Sequence, residues 1–121
     1  MEGISAYISM HMSENIDVED ICESLHMSRA TLYRILKTET GMGLNNYVNH
    51  CKMERAKILL SDDYSVGETA EMLGYENVGY FSRLFRESVG ISPSEYRKVN
   101  NKFLHVQNDT QEEEAFADFD T

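Results

Sequence analysis

Apolar positions recur at helical spacing almost from the first residue of this chain. Ile4, Tyr7, Ile8 and Met12 predict a first helix within residues 1–15. Asp17 suits an N-cap, and Ile16 with Ile21 makes a hydrophobic staple, so a second helix is predicted to about Leu25 with Val18, Ile21, Cys22 and Leu25 inward. Ser28 caps a third helix, which turns Leu32, Ile35 and Leu36 inward. It ends at Gly41, in the left-handed conformation that glycine adopts at little cost. The longest helix is predicted over roughly Leu44 to Leu60, its apolar side marked by Tyr47, Val48, Cys51, Ala56, Leu59 and Leu60. Then the pattern restarts. Ser65 and Glu68 form a capping box, Val66, Ala70 and Leu73 point inward, and Gly74 ends that helix. Asn77 caps the next, with Phe81, Leu84 and Phe85 inward and Gly90 at its end. Ser92-Pro93-Ser94-Glu95 opens a last helix, expected to fade near Asn100.

The two halves echo each other. A shift of 48 residues puts Asp17 on Ser65, Val18 on Val66, Cys22 on Ala70 and Leu25 on Leu73. After one inserted residue in the turn the shift becomes 49, and Leu32 meets Phe81, Arg34 meets Arg83, Lys37 meets Arg86 and Gly41 meets Gly90. The repeated unit is helix, short turn, helix. That is a helix-turn-helix, whose second helix is shaped to lie in a DNA major groove. The expected fold class is all-α, with about seven helices in two helix-turn-helix subdomains joined by a long linker helix. The expected divisions are residues 1–43, the linker 44–61, residues 62–100 and an acidic mobile tail at 101–121.

Charge qualifies this picture. The chain of 121 residues has a net charge of −10, the opposite of the usual nucleic-acid footprint. About half of the excess falls in residues 101–121, where Lys102 faces Asp109, Glu112, Glu113, Glu114, Asp118 and Asp120. The echoed helices depart from that average. The third helix shows Arg29, Ala30, Tyr33, Arg34 and Lys37 outward, with no acid before Glu39. The sixth shows Val78, Gly79, Tyr80, Ser82, Arg83 and Arg86, with no acid before Glu87. Salt screens exposed charges beyond roughly 8–10 Å, so these local faces matter more than the sum.

The stretch GYENVGYFSRLFRESVGISPSEYR, Gly74 to Arg97, resembles the signature of the AraC/XylS family of bacterial transcription regulators. YVNHCKMERAKILL resembles the family's linker helix and SRATLYRILKTETG its first recognition helix; the likeness spans about residues 4–99. The resemblance implies a DNA-binding domain that regulates transcription in a bacterial cytoplasm, as an activator in contact with RNA polymerase. It also implies two recognition helices in adjacent major-groove segments, about one turn or roughly 34 Å apart. Carried over by position, the residues at base edges are Arg29, Ala30, Tyr33 and Arg34, then Val78, Gly79, Tyr80 and Arg83. Ser28, Lys37, Asn77 and Arg86 are implied at phosphates. Arg34 and Arg83 lead this set, because arginine can grip guanine O6 and N7 with two hydrogen bonds. The bland alternative for each is a surface ion pair, such as Arg83 with Glu87 at i,i+4 spacing. Val78-Gly79 departs from the family pattern, placing an apolar residue and a glycine where hydrogen-bonding side chains would read bases.

Other chemistry finds little support. Cys22 and His26 are four apart, a spacing compatible with metal, but no second pair closes a zinc site. No phosphate loop or catalytic triad is visible, so neither cofactor nor enzyme activity is expected. The two cysteines do not form a disulfide framework. Glu2, His11 and Glu14 interrupt any leader-like apolar stretch, and no apolar run is long enough for a bilayer, so no membrane partner is expected. Family members attach this domain to a sensor or dimerisation module, so the chain is expected to be either the C-terminal piece of a longer regulator or a compact stand-alone form. The competing class is a helical protein-interaction module, with the acidic tail as its arm or as an autoinhibitor that mimics DNA.

Overall fold

The computed structural model describes the backbone of residues 1–108 and the side chains of residues 1–100. Among the described residues there are seven helices and no strand: α1 (Glu2–Met10), α2 (Val18–Leu25), α3 (Arg29–Thr40), α4 (Leu44–Ser61), α5 (Val66–Met72), α6 (Val78–Val89) and α7 (Pro93–Asn108). The all-α fold expected from the pattern is the fold observed.

Local signals act where the sequence places them. The Ser28 hydroxyl accepts from the Thr31 N–H, and the Asn77 side chain accepts from the Tyr80 N–H. Ser65 and Glu68 close a reciprocal capping box, as do Ser92 and Glu95. Asp17 does occupy the N-cap of α2, but its carboxylate makes no capping hydrogen bond. Both α2 and α5 end in the same Schellman arrangement. Met27 N–H bonds to the Cys22 carbonyl and His26 N–H to that of Glu23; Tyr75 N–H bonds to Ala70 and Gly74 N–H to Glu71. The repeat therefore reaches down to the backbone hydrogen bonds of the turn.

α4 serves both halves. Its first part gives Leu44 and Val48 to a core with Ile4, Ile8, Ile21, Leu32 and Leu36. Its second gives Met53, Ala56, Leu59 and Leu60 to a core with Ala70, Leu73, Phe81 and Phe85. At about 100° per residue these two sets sit on faces of α4 turned roughly 100° from each other. That is why no single apolar stripe describes this helix. Met12 packs against both cores.

Two boundaries differ from expectation. α1 stops at Met10, not near Asn15. Residues 11–15 are drawn out of helix into contacts with the second half, the Glu14 carbonyl accepting from the Lys52 ammonium at 3.0 Å. At the other end α7 continues to Asn108, well past Asn100. Neither glycine nor proline occurs after Pro93 to stop it. Residues 109–121, which carry the acidic segment expected to act as an arm or autoinhibitor, lie outside the described residues.

The repeat has one buried flaw. Thr69 stands where the first half has Ile21, and both are fully buried. Among the described residues the Thr69 hydroxyl has no hydrogen-bond partner. Thr69→Val is expected to stabilise the protein by about 1 kcal/mol, because it removes an unsatisfied polar group at nearly constant volume. Urea denaturation measures this, and a loss of stability would show that the hydroxyl is satisfied in solution.

Candidate nucleic-acid interface

Each candidate residue sits on one of two capped helices. A serine or asparagine cap at the N-terminus leaves the first turn of α3 and α6 facing solvent, with no acidic residue in that turn. Every residue of the expected base-edge and phosphate sets is exposed: Ser28, Arg29, Ala30, Tyr33, Arg34 and Lys37 on α3, and Asn77, Val78, Gly79, Tyr80, Arg83 and Arg86 on α6. The core-facing positions of the same helices, Leu32 and Leu36, then Phe81 and Phe85, are fully buried. The apolar stripe thus orients the basic one.

The arginines differ in what holds them. The Arg29 guanidinium pairs with the Glu19 carboxylate of α2, and that bond raises its pKa above the ordinary arginine value. The Arg83 guanidinium lies 5.1 Å from the centre of the Tyr80 ring, a cation–π contact, and among the contacts of the described residues there is no pair with Glu87, which i,i+4 spacing allows. Lys37 reaches back to the Gly41 carbonyl at 3.4 Å, at the negative end of α3. Tyr33 and Tyr80 each keep about two-fifths of their surface open, at 41% and 44%.

Gly79 lies directly beneath the cap of α6. A Cβ there would lie 3.1 Å from the Asn77 side-chain oxygen, which crosses over it to cap the Tyr80 N–H. That contact is tight rather than forbidding: the matched residue in α3, Ala30, carries a Cβ beneath the equivalent Ser28 cap.

The junction between the halves was missed from the sequence. Lys52, on α4, is only 6% exposed. Its ammonium donates to the Glu14 carbonyl and lies 5.1 Å from the centre of the Tyr75 ring. The Tyr75 hydroxyl donates to Asn49 at 2.8 Å. Burial pushes the Lys52 ammonium below the usual lysine range; burial, and then the neighbouring Tyr80, raise the Tyr75 phenol to about 12. An open cleft of about 520 Å³ follows the junction, lined by Asn15, Asn45, Asn49, Glu76, Asn77 and Tyr80 among others. The i,i+4 series Leu44, Val48, Lys52 aligns Lys52 with two core residues, but spacing alone does not tell a buried lysine from one whose stem lies along the core edge with its charge in water. Among the described residues no cluster of three or more His, Cys, Asp or Glu side chains is arranged to hold a metal, and no helix is long and apolar enough to cross a membrane.

Comparison with known proteins gives a consistent set of likenesses. Residues 21–99 match a family described as helix-turn-helix domain. The regulatory protein PocR of Salmonella typhimurium is 31% identical over 106 residues, covering 87% of this chain and 35% of PocR. The transcriptional activator RhaR of Pectobacterium atrosepticum is 36% identical over 90 residues, covering 74% of this chain and 31% of RhaR. The chain therefore spans about a third of the length of these curated relatives. Among solved structures, the DNA-binding domain of AdpA in complex with a target DNA superposes with a TM-score of 0.72 at 31% identity, over 80% of this chain and 88% of that one. The C-terminal domain of AraT, a response regulator from Geobacillus stearothermophilus, superposes with a TM-score of 0.71 at 32% identity, over 80% and 81%.

Proposed function

The chain belongs to the AraC/XylS family of helix-turn-helix transcription regulators, and from that premise we propose that α3 and α6 read two adjacent major-groove segments of one bacterial promoter. DNA-binding regulation of transcription is the function its relatives share, and it is not that of an enzyme. The observation that carries the two-segment reading is the repeated surface. Both helices have a capped, acid-free first turn, exposed arginine at the matched positions Arg34 and Arg83, and one shared support in α4. Arg34 and Arg83 read base edges. Arg29 joins them by exchanging Glu19 for DNA. Ala30, Tyr33, Val78 and Tyr80 meet thymine methyls and sugar edges, and the backbone at Gly79 approaches closely. Ser28, Lys37, Asn77 and Arg86 hold phosphates, which set orientation without carrying sequence information. In the bacterial cytoplasm this domain activates transcription beside RNA polymerase, attached to a sensor or dimerisation module in the whole protein; the activator RhaR supports the sign of that regulation.

Selection of bound duplexes from a random library at low salt tests the reading. Two short enriched blocks about one helical turn apart are expected. A single block would leave the Val78-Gly79 unit on backbone alone. No enrichment, with or without residues 109–121, would sink the DNA reading in favour of a protein-interaction module. Binding is expected to fall steeply with salt, because each neutralised phosphate releases counterions.

A further inference from the structure

Two helix-turn-helix units can act as one reader only if their separation and relative rotation are set. The segments that meet between them, residues 11–15 and residues 73–77, both lie outside helix. Each is shaped by its own short-range bonds, Tyr75 N–H to the Ala70 carbonyl and Glu14 N–H to the His11 carbonyl among them, but those bonds stay within one segment, so the placing of one segment against the other needs contacts between them. One contact is backbone against backbone: Gly74 sits so close to the first half that a Cβ on it would lie 2.6 Å from the Ser13 carbonyl oxygen. That contact limits distance. It has little direction. The directional contact is Lys52.

We infer that Lys52 is the positioning residue that sets the register of the two units, tying the α1–α2 loop to the α5–α6 turn through the Glu14 carbonyl and the Tyr75 ring. The inference rests on the two-segment reading of DNA proposed above. Its ammonium presents donors to the Glu14 carbonyl at 3.0 Å and charge to the face of Tyr75 at 5.1 Å. A methionine of similar length would fill the same space without either directed contact. A buried ammonium carries a desolvation cost that an apolar side chain avoids, and the best-attested return for such a cost is a unique register. Asn49, one turn earlier on α4, holds the far end of the same ring by its 2.8 Å hydrogen bond from the Tyr75 hydroxyl. Tyr75 is thus gripped from α4 at its face and at its tip.

The grip continues to the reading surface. The Tyr75 ring centre lies 6.2 Å from that of Tyr80, in the first turn of α6, and Arg83 lies over Tyr80 at 5.1 Å. Lys52, Tyr75, Tyr80 and Arg83 thus form a chain of neighbouring groups, the two rings tilted at 58° to each other, from the inside of the linker helix to the leading arginine of the second unit. A displacement of Lys52 therefore moves the donors that face DNA, although Lys52 itself is buried away from it.

Spacing decides between positioning and mere support. The probes are duplexes that carry the two selected blocks at their native separation, or with one base pair added or removed. One base pair changes rotation by roughly 34° and separation by about 3.4 Å. The wild-type chain is expected to bind the altered duplexes at least about tenfold more weakly. Lys52→Met is expected to bind the native duplex more weakly and to discriminate the three spacings by less than about threefold. Lys52→Arg, which keeps charge and donors, is expected to restore the preference. Residual dipolar couplings of the free protein read the same property without DNA. One alignment tensor should fit the amides of α3 and α6 in wild type, and two should be needed in Lys52→Met. If Lys52→Met does not fold, Tyr75→Leu, which removes the gripped ring, carries the same expectations. A folded variant that keeps full spacing preference and a single tensor overturns the latch. A wild type with one tensor but no spacing preference overturns the two-segment reading and leaves the latch standing as a device of the fold.

Discussion

Replacing Arg34 and Arg83 together by alanine is expected to lower affinity for the selected two-block duplex about a hundredfold or more at fixed salt. A good bidentate arginine–guanine contact is worth roughly 1–3 kcal/mol of discrimination, and the two sites are on separate helices, so their losses should nearly add. Each side chain is exposed on its helix, and neither is buried in a core, so the fold should survive. Arg83→Ala also frees the face of Tyr80, so its single effect includes a small loss of local order on α6. The comparison that gives the result meaning is Lys37→Ala with Arg86→Ala. Removing phosphate contacts weakens binding evenly across sequences and reduces the slope of log affinity against log salt by about two. Base contacts change the preferred sequence instead. Equilibrium titration of labelled duplexes over a salt series separates the two. An unchanged site preference in Arg34→Ala plus Arg83→Ala would remove these residues from the base-reading set.

The second large effect concerns the turn. Gly74→Ala is expected to destabilise the protein by about 3 kcal/mol. The residue has φ +83°, where an L side chain costs roughly 1–2 kcal/mol, and the added Cβ would meet the Ser13 carbonyl oxygen at 2.6 Å, forcing backbone to move. His26 is the matched position in the first half, also left-handed at φ 55°, with a side chain exposed to solvent. His26→Gly should therefore stabilise, by up to about 1 kcal/mol. Opposite signs at two equivalent positions are the signature of this repeat. Chemical denaturation of both variants measures it, and a mild effect at Gly74 would mean that the two halves are not in backbone contact there.

The difference between His26 and Gly74 also shows where sequence reasoning stops. Capping residues, left-handed C-terminal glycines and apolar spacing act within about one helical turn, so the sequence alone revealed them: Ser28 and Asn77 as caps, Gly41 and Gly90 as stops, and Leu32, Leu36, Phe81 and Phe85 as the buried backs of the two presented faces. The outward residues of those faces followed, since an amphipathic helix with a known inside has a known outside. Contacts that close over tens of residues left no local trace. Glu19 takes Arg29 from ten residues away, and Lys52 takes the Glu14 carbonyl from 38. α1 likewise ends at Met10 although the apolar spacing runs on to Met12, whose side chain packs against both cores.

What the sequence by itself determined is the identity of the parts: seven helical segments, two helix-turn-helix units and the two basic faces, because each depends on periodicity and on residue types a few positions apart. What only the tertiary structure decided is how the parts are joined. The turn of roughly 100° between the two buried faces of α4, the placing of Ser13 on Gly74, and the burial of a lysine against Tyr75 depend on which segments meet in space. A lysine inside a helix reads as a solvated side chain until the packing around it is known.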